Sequence, residues 1–440
     1  MSGLTLSDGQ DRYLSARDSE VPGSRRIYVH IGEPKTGTSF LQHALWSNRA
    51  RLAAQGVVLP GYSDGGHIRA SQDLRDVPWQ PGDPADPWAG EWDVLAGQAL
   101  RAPDAAVISN ELLAACNPAQ VDRAMRSLLP ADVHIILTVR DFATLLPAEW
   151  QETVKTRGTV GWEQWLDGVI GAAPDPDRRR RLWFWTVHDT LAVLGLWSRL
   201  IPADQVHVIT LPSRGGTNEL WLRFASVLGV ESGTIDLPPR RENPSLGLAE
   251  AEFLRRLNEA LPDQMPRWFY TWNIKRILAS DVLSAGPSQA RLALPPAHQA
   301  WARQQSEILV AGLRESKYHI VGDLGDLLPP PATERYVPPA SLPAEQLLDV
   351  AVRATAALAD RQYRGDIITS SSDLTVGMHP DGRQPGKRGD PRRAVSRLGL
   401  AILKRSQIKR TIYLASGRPA VRNLRVLVWS ILTRPGRRRG

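Results

Sequence analysis

The run VHIILTVR, residues 133–140, constrains the fold more than any other stretch of the chain. It is apolar without alternation, so both of its faces need cover. A strand of that kind belongs inside a parallel sheet with helices packed on each side. Four more stretches carry the β-branched composition of strands: RRIYVHIG (25–32), GVVLP (56–60), AAVISNE (105–111) and QVHVITLP (205–212). In the first of them Ile27, Val29 and Ile31 alternate with Tyr28 and His30, the period of two expected of a strand. Between the strands lie segments with apolar residues at helical spacing: TSFLQHALWSNRARLAAQG, FATLLPAEWQETVKTRG, HDTLAVLGLWSRLIP and NELWLRFASVLG. This alternation predicts an α/β fold, an open and mostly parallel sheet with helices on both faces. Residues 61–103, rich in Gly, Pro, Asp and Trp, are expected to form a long loop with one helix at PWAGEWDVLAGQAL.

At 440 residues the chain exceeds the roughly 100–200 residues of one ordinary domain. Its hydrophobic content of 42% and charged content of 23% suffice for a large core. Residues 1–24 form a lead-in without the apolar stretch of a secretory signal. The α/β domain is expected over 25–330, with 245–330 mostly helical (LGLAEAEFLRRLNEAL, PAHQAWARQQSEILVAGLRES) and packed on the same core. A helical C-terminal extension over 331–364, a linker over 365–391 and a basic amphipathic tail over 392–440 follow. No apolar run reaches the roughly 18 residues of a membrane-spanning helix.

The net charge of +8 is unevenly spread. Residues 381–440 hold 17 Lys/Arg against 2 Asp/Glu, a balance of +15, so the remaining 380 residues carry −7. A basic pI is thus a property of the tail, and no nucleic-acid role is read for the body. The tail alternates cations with Val, Leu, Ile and Trp. That pattern suits either peripheral contact with an anionic lipid surface or packing on the acidic body. The one cysteine, Cys116, has no internal disulfide partner, which fits a reducing, cytoplasmic setting and a packing role.

The stretch HIGEPKTGTSF (30–40) joins the first strand to the first helix. The first N–H groups of a helix lack intrahelical partners and point at such a turn, making an anion site. Gly32 and Gly37 have the spacing of a nucleoside-triphosphate loop, G-x-x-x-x-G-K-[ST]. Thr38 stands where that loop has its Lys, and Lys35 lies inside the turn instead. The γ-phosphate would lose its main charge partner, which argues against a kinase or ATPase. The loop suits a nucleotide with one 5′-phosphate carrying a transferable group.

PKTGTSF (34–40) resembles the 5′-phosphosulfate loop of the sulfotransferases that use 3′-phosphoadenosine 5′-phosphosulfate, PAPS. The flanking HIG and FLQ, and scattered blocks at 185–212, 240–258 and 321–329, extend the likeness over about 25–330. The resemblance implies a P-loop-like fold in which Pro34, Lys35, Thr36, Gly37, Thr38 and Ser39 hold the 5′-phosphosulfate. It implies a second site where an Arg ending a strand, here Arg140, and a Ser eight residues on hold the 3′-phosphate. Position 148 is Ala, so Gln151 or a backbone N–H would substitute. The alternative for Arg140 is a salt bridge to Asp141 or Glu149. A late basic loop offers Arg240 or Arg241 with Asn243, and Phe40 either stacks on adenine or belongs to the core.

Sulfuryl transfer needs positioning, neutralisation of the leaving oxygen and a base for the acceptor. Lys35 is the residue for the charge. The base is sought among His67, Glu111, His30 and Glu33, with His67 and Glu111 favoured. The alternatives are a solvated loop histidine and a helix-capping Glu111. No metal is required, and no His/Cys cluster has zinc-ligand spacing. The acceptor, a hydroxyl or amine of a small molecule, sugar or lipid, is expected between variable loops at 61–103 and 157–184. There Trp79, Trp88, Trp92, Trp162 and Trp165 either line a pocket or fill the core. The rival function is a non-catalytic nucleotide- or membrane-binding relative.

Overall fold

The computed structural model describes residues 25–77, 88–213, 216–237, 245–286, 290–329 and 336–364. The lead-in, linker and basic tail, together with Trp79, Arg240, Arg241 and Asn243, lie outside these residues. Two compact units are present. The first gathers the described residues up to Glu152, Trp162–Ser245 and Leu292–Val337; the second gathers Thr153–Gly161, Leu246–Arg291 and those from Pro338 on. Residues 246–291, expected on the α/β core, thus cluster with the helical extension.

The first unit is built in the order β1 (Arg26–His30), α1 (Thr38–Ser47), β2 (Val57–Val58), α2 (Asp64–Leu74), α3 (Glu91–Ala99), β3 (Ala105–Ser109), α4 (Pro118–Ser127), β4 (Asp132–Val139) and, as far as Glu152, α5 (Phe142–Lys155). It continues through α6 (Trp162–Ala172), α7 (Trp183–His188), α8 (Thr190–Trp197), β5 (Val206–Thr210) and α9 (Gly216–Leu228). In the second unit α10 (Leu248–Ala260) is followed by a wide, π-type helix at Tyr270–Leu283. The first unit resumes with α11 (Pro296–Glu315) and β6 (His319–Val321), and the second with α12 (Ala344–Arg364).

The six strands form one parallel sheet in the order β2-β3-β1-β4-β5-β6. The chain leaves β1 toward β2 and later passes from β3 across β1 to β4. That reversal puts the carboxyl end of β1 where open α/β sheets bind ligands. Both faces are covered, as the apolar run of β4 requires. On one face Tyr28, Val107, Ile136 and Ile209 pack with Phe40, Leu41 and Leu45 of α1 and Trp221 and Phe224 of α9. The alternate residues Ile27, Val29, Ile108, Ile135 and Val208 are equally buried, and α8 packs against β4. Burying a side chain of this size stabilises by about 1.5–3 kcal/mol.

Several expectations from sequence need correction. The second strand is two residues long, and β6 extends the sheet by one strand. The segment 61–103 contains α2 as well as α3, and 157–184 is helical rather than a loop. Phe40 is 8% exposed and belongs to the core cluster, the second of its two expected places.

In the second unit Glu252 of α10 is gripped by Arg255 and Arg256, each contact 2.8 Å. The buried Asn258 amide donates to the carbonyls of Val154 and Gly158 at 2.8 and 2.9 Å and accepts from Tyr270. Glu250, 1% exposed, meets Arg353 of α12 at 3.0 Å.

Candidate active site

The loop after β1 holds three residues in the left-handed region: Gly32 at φ +66°, Lys35 at +63° and Gly37 at +88°. A Cβ on Gly32 would stand 2.8 Å from Cβ of Glu111, and one on Gly37 would stand 2.5 Å from a methyl carbon of Leu220. Both positions therefore need glycine for conformation and for space. Lys35 takes the same conformation with a side chain, at a cost of roughly 1–2 kcal/mol. Its neighbours hold it there. Arg140 donates from Nη1 to the Lys35 carbonyl at 3.2 Å. The Thr36 hydroxyl donates to the Glu33 carbonyl and accepts from the Thr138 hydroxyl, both at 2.6 Å. Gly37 is the N-cap of α1, and no side chain caps it. The first-turn N–H groups of α1 are thus available to an anion lying over the loop.

The two cations expected at the site behave differently. Lys35 forms an ion pair with Glu152 of α5, both side chains being 24% exposed. Arg140, half-buried just beyond β4, forms no ion pair among the described residues; the expected alternative of a bridge to Asp141 or Glu149 is not made. Its Nε donates to the Thr144 hydroxyl at 3.0 Å, and that hydroxyl donates in turn to the Asp141 carboxylate. Thr144 was not singled out in the sequence, yet it supplies a hydroxyl one helical turn before Ala148.

The four candidate bases separate on geometry. His67 is 1% exposed and belongs to α2. The Ser109 N–H donates to its Nδ1 at 3.1 Å, so Nε2 carries the proton and donates to the Pro60 carbonyl at 2.8 Å. Both nitrogens are committed, and burial lowers the ring's pKa. His67 ties the end of β2 to β3 rather than facing solvent. His30, also buried, pairs through Nδ1 with the Ser109 hydroxyl at 2.8 Å, and burial pushes its pKa down to about 3.

Glu33 is 1% exposed and turns inward, accepting from the Thr190 hydroxyl at 2.5 Å and meeting His188 Nδ1 at 3.3 Å. Burial opposes a charge on His188, but its bonds to Glu149 and Glu33 outweigh that and raise its pKa to about 9.

Glu111 remains beside the loop. It opens a 3₁₀ turn, Glu111–Ala115, whose cap is Asn110, so the expected capping role falls to its neighbour. Its backbone packs against Gly32, and Gln42 of α1 donates to its Oε2 at 2.8 Å.

Two of the cavities lined by described residues of this unit border the site. One, of about 600 Å³, is walled by Phe142, Trp185, Trp301 and Leu191 and touches His188 and Thr190. The other, of about 560 Å³, runs from Ser39 and Gln42 to Trp46, Arg49, Tyr62 and Asp64. Of the tryptophans expected near the acceptor, Trp92 and Trp162 are fully buried core residues, while Trp88 and Trp165 are half-buried. Cys116 is buried, and burial pushes its thiol up to about 12. Among the described residues no cluster of His, Cys, Asp or Glu is arranged to hold a metal ion, and no helix is long and apolar enough to cross a membrane.

No protein-family model matches the chain. A stretch of 187 residues is 29% identical to 2-succinyl-5-enolpyruvyl-6-hydroxy-3-cyclohexene-1-carboxylate synthase of Serratia proteamaculans, covering 40% of this chain and 30% of that protein. The chain thus spans less than a third of that relative's length, too little to transfer its activity. Among solved structures, a sulfotransferase from Alicyclobacillus acidocaldarius matches 50% of this chain and 87% of its own, with 17% identity and a TM-score of 0.31. At those values the match carries no functional argument, and function rests on the residues of the site.

Proposed function

We propose that the protein is a sulfotransferase that takes the sulfuryl group of PAPS and passes it to a hydroxyl or amine acceptor. The observation that carries this reading is Arg140, a half-buried guanidinium without an ion-pair partner among the described residues, hydrogen-bonded to the backbone of an uncapped, glycine-shaped anion loop. An unpaired buried charge is costly unless a ligand completes it. A nucleotide with phosphates at both ends supplies anions for both places.

PAPS would supply an activated sulfuryl group and a stable leaving phosphate. Thr36, Gly37, Thr38 and Ser39 would bind the 5′ end through the loop and the start of α1. Arg140, oriented by Thr144, would bind the 3′-phosphate. Lys35 would leave Glu152 to neutralise charge on the oxygen departing from sulfur. Glu111, held by Gln42, would take the acceptor's proton; the geometry favours it over His67, whose nitrogens are committed.

Thermal unfolding with adenosine 3′,5′-bisphosphate and with ATP–magnesium tests the reading. The bisphosphate at a hundred times its Kd should stabilise by about 2.7 kcal/mol. Stabilisation by ATP–magnesium alone would sink it. Ala148 keeps a second reading in play, a nucleotide-binding protein without turnover. Tight bisphosphate binding with no transfer to any acceptor would select it.

A further inference from the structure

The acceptor must approach the loop from a cavity that touches it. The apolar cavity reaches the loop through His188 and Thr190, and both meet it at Glu33, which is shut inside the protein. The second cavity is an open groove that shares Ser39 with the loop itself and Gln42 with Glu111. It therefore borders the proposed donor site and lies one hydrogen bond, through Gln42, from the proposed base.

We propose that this groove seats the acceptor and that the acceptor is a carbohydrate, an assignment that rests on the sulfotransferase reading. A pyranose has a flat C–H face and a rim of hydroxyls that both donate and accept. The groove offers the complement. Trp46 is half-buried, with the Arg49 guanidinium 5.4 Å from its ring centroid, and Tyr62 is 79% exposed. The open Tyr62 ring suits the apolar face of a sugar, with Trp46, packed against the core and His67, as the wall beside it. The Gln42 amide and Arg49 supply donors; the Asp64 carboxylate and Ser63 hydroxyl supply acceptors. A lipid chain or fused aromatic ring would find a more apolar wall between Trp185 and Trp301 in the other cavity.

In the transfer, a sugar hydroxyl oxygen forms the new bond to sulfur and the bond from sulfur to the 5′-phosphate oxygen breaks. The hydroxyl proton passes to Glu111. The negative charge of the broken bond leaves on adenosine 3′,5′-bisphosphate, beside Lys35.

Saturation-transfer NMR on the full chain tests the assignment. The methyl glycosides of glucose, galactose, mannose and N-acetylglucosamine are compared with 2-naphthol, with and without adenosine 3′,5′-bisphosphate. At least one glycoside should give ring-proton signals. Tyr62→Ala should weaken its Kd about tenfold, the loss of one stacking contact. The same variant should leave the bisphosphate Kd within about twofold, because Tyr62 is not among the proposed phosphate contacts. Tyr62 is exposed, so that variant removes no core packing, and Trp46→Phe provides a second, milder probe of the groove wall.

Silence from every glycoside overturns the proposal, as does a glycoside signal indifferent to Tyr62→Ala. A signal from 2-naphthol alone, lost in Trp301→Ala, moves the acceptor to the apolar cavity and overturns it too. If the bisphosphate fails to bind while a glycoside still maps to Tyr62, the PAPS reading falls and the groove assignment stands.

Discussion

Glu33 and His188 meet with both side chains shut off from solvent. Glu33 Oε2 lies 3.3 Å from Nδ1 of the ring, and Glu149 Oε2 lies 3.6 Å from its other nitrogen. The imidazolium between the two carboxylates offsets part of the negative charge that Glu33 places two residues before Lys35 in an anion loop.

This arrangement predicts an alkaline loss of stability. The folded pKa of His188, about 9, lies above the unfolded value of 6.5. Its contribution is therefore complete below pH 6.5 and is lost as pH rises through 9. The shift corresponds to a contribution on the order of 3 kcal/mol. Urea unfolding between pH 6 and 10 should show the decline, and His188→Gln should flatten it while lowering stability at pH 6.

An acidic loss is predicted from the opposite edge of the sheet. His134, His207 and His319 form a chain across β4, β5 and β6, with ring nitrogens 2.9 and 2.8 Å apart. His134 Nε2 lies 3.2 Å from Asp132, which assigns its proton there. His134 Nδ1 then accepts from His207, and His207 accepts from His319. Burial, then the neighbouring His134 and His319, push the pKa of His207 down to about 4. Because the folded value is depressed, stability is complete above pH 6.5 and falls as pH drops toward 4, by on the order of 3 kcal/mol. Circular dichroism melts from pH 7 to pH 4 should show a steady decline that His207→Asn reduces. An unchanged slope in that variant would remove His207 as its source.

Lys35→Ala should separate chemistry from folding. The Glu152 pair is partly exposed, and such pairs contribute about 0–1 kcal/mol. Its loss should barely move the denaturation midpoint. Sulfate transfer should fall by about 10²–10³ in kcat, the usual effect of removing one charge-stabilising donor. A variant of full activity would take Lys35 out of the mechanism.

Glu111 and His67 should show contrasting defects. Glu111→Gln keeps a hydrogen-bonding group beside Gln42 and should lower kcat by about 10²–10⁴ with KM for PAPS unchanged. His67→Leu strands the Ser109 N–H and the Pro60 carbonyl in the interior, at about 1–3 kcal/mol for each unsatisfied group. Its thermal midpoint should drop. Reversal of these two outcomes, kinetic for His67 and thermal for Glu111, would return the base to His67.

Much of this was legible in the sequence where burial is total. The run at 133–140 could only be a covered strand, and the glycines at 32 and 37 marked the turn between β1 and α1. What escaped was governed by other rules. Helix α2 shows no apolar stripe, because its buried residues include Gly66, His67, Ser71 and Asp73. Without that helix His67 looked like a solvated loop residue. Strand β6 is three residues long, too short for its period to register. The contact of Glu33 with His188 joins positions 155 residues apart, and nothing in the local spacing of either announces the other.

β1 and β4 lie side by side in register, with His30 opposite Ile136. Lys35 and Arg140 each follow shortly after that pair, and the Arg140 bond to the Lys35 carbonyl closes the gap between them. The sheet is in this sense a ruler with a cation at each of two marks. A ligand that engages both is selected by the span between its anionic groups, so added charge cannot make up for the wrong length.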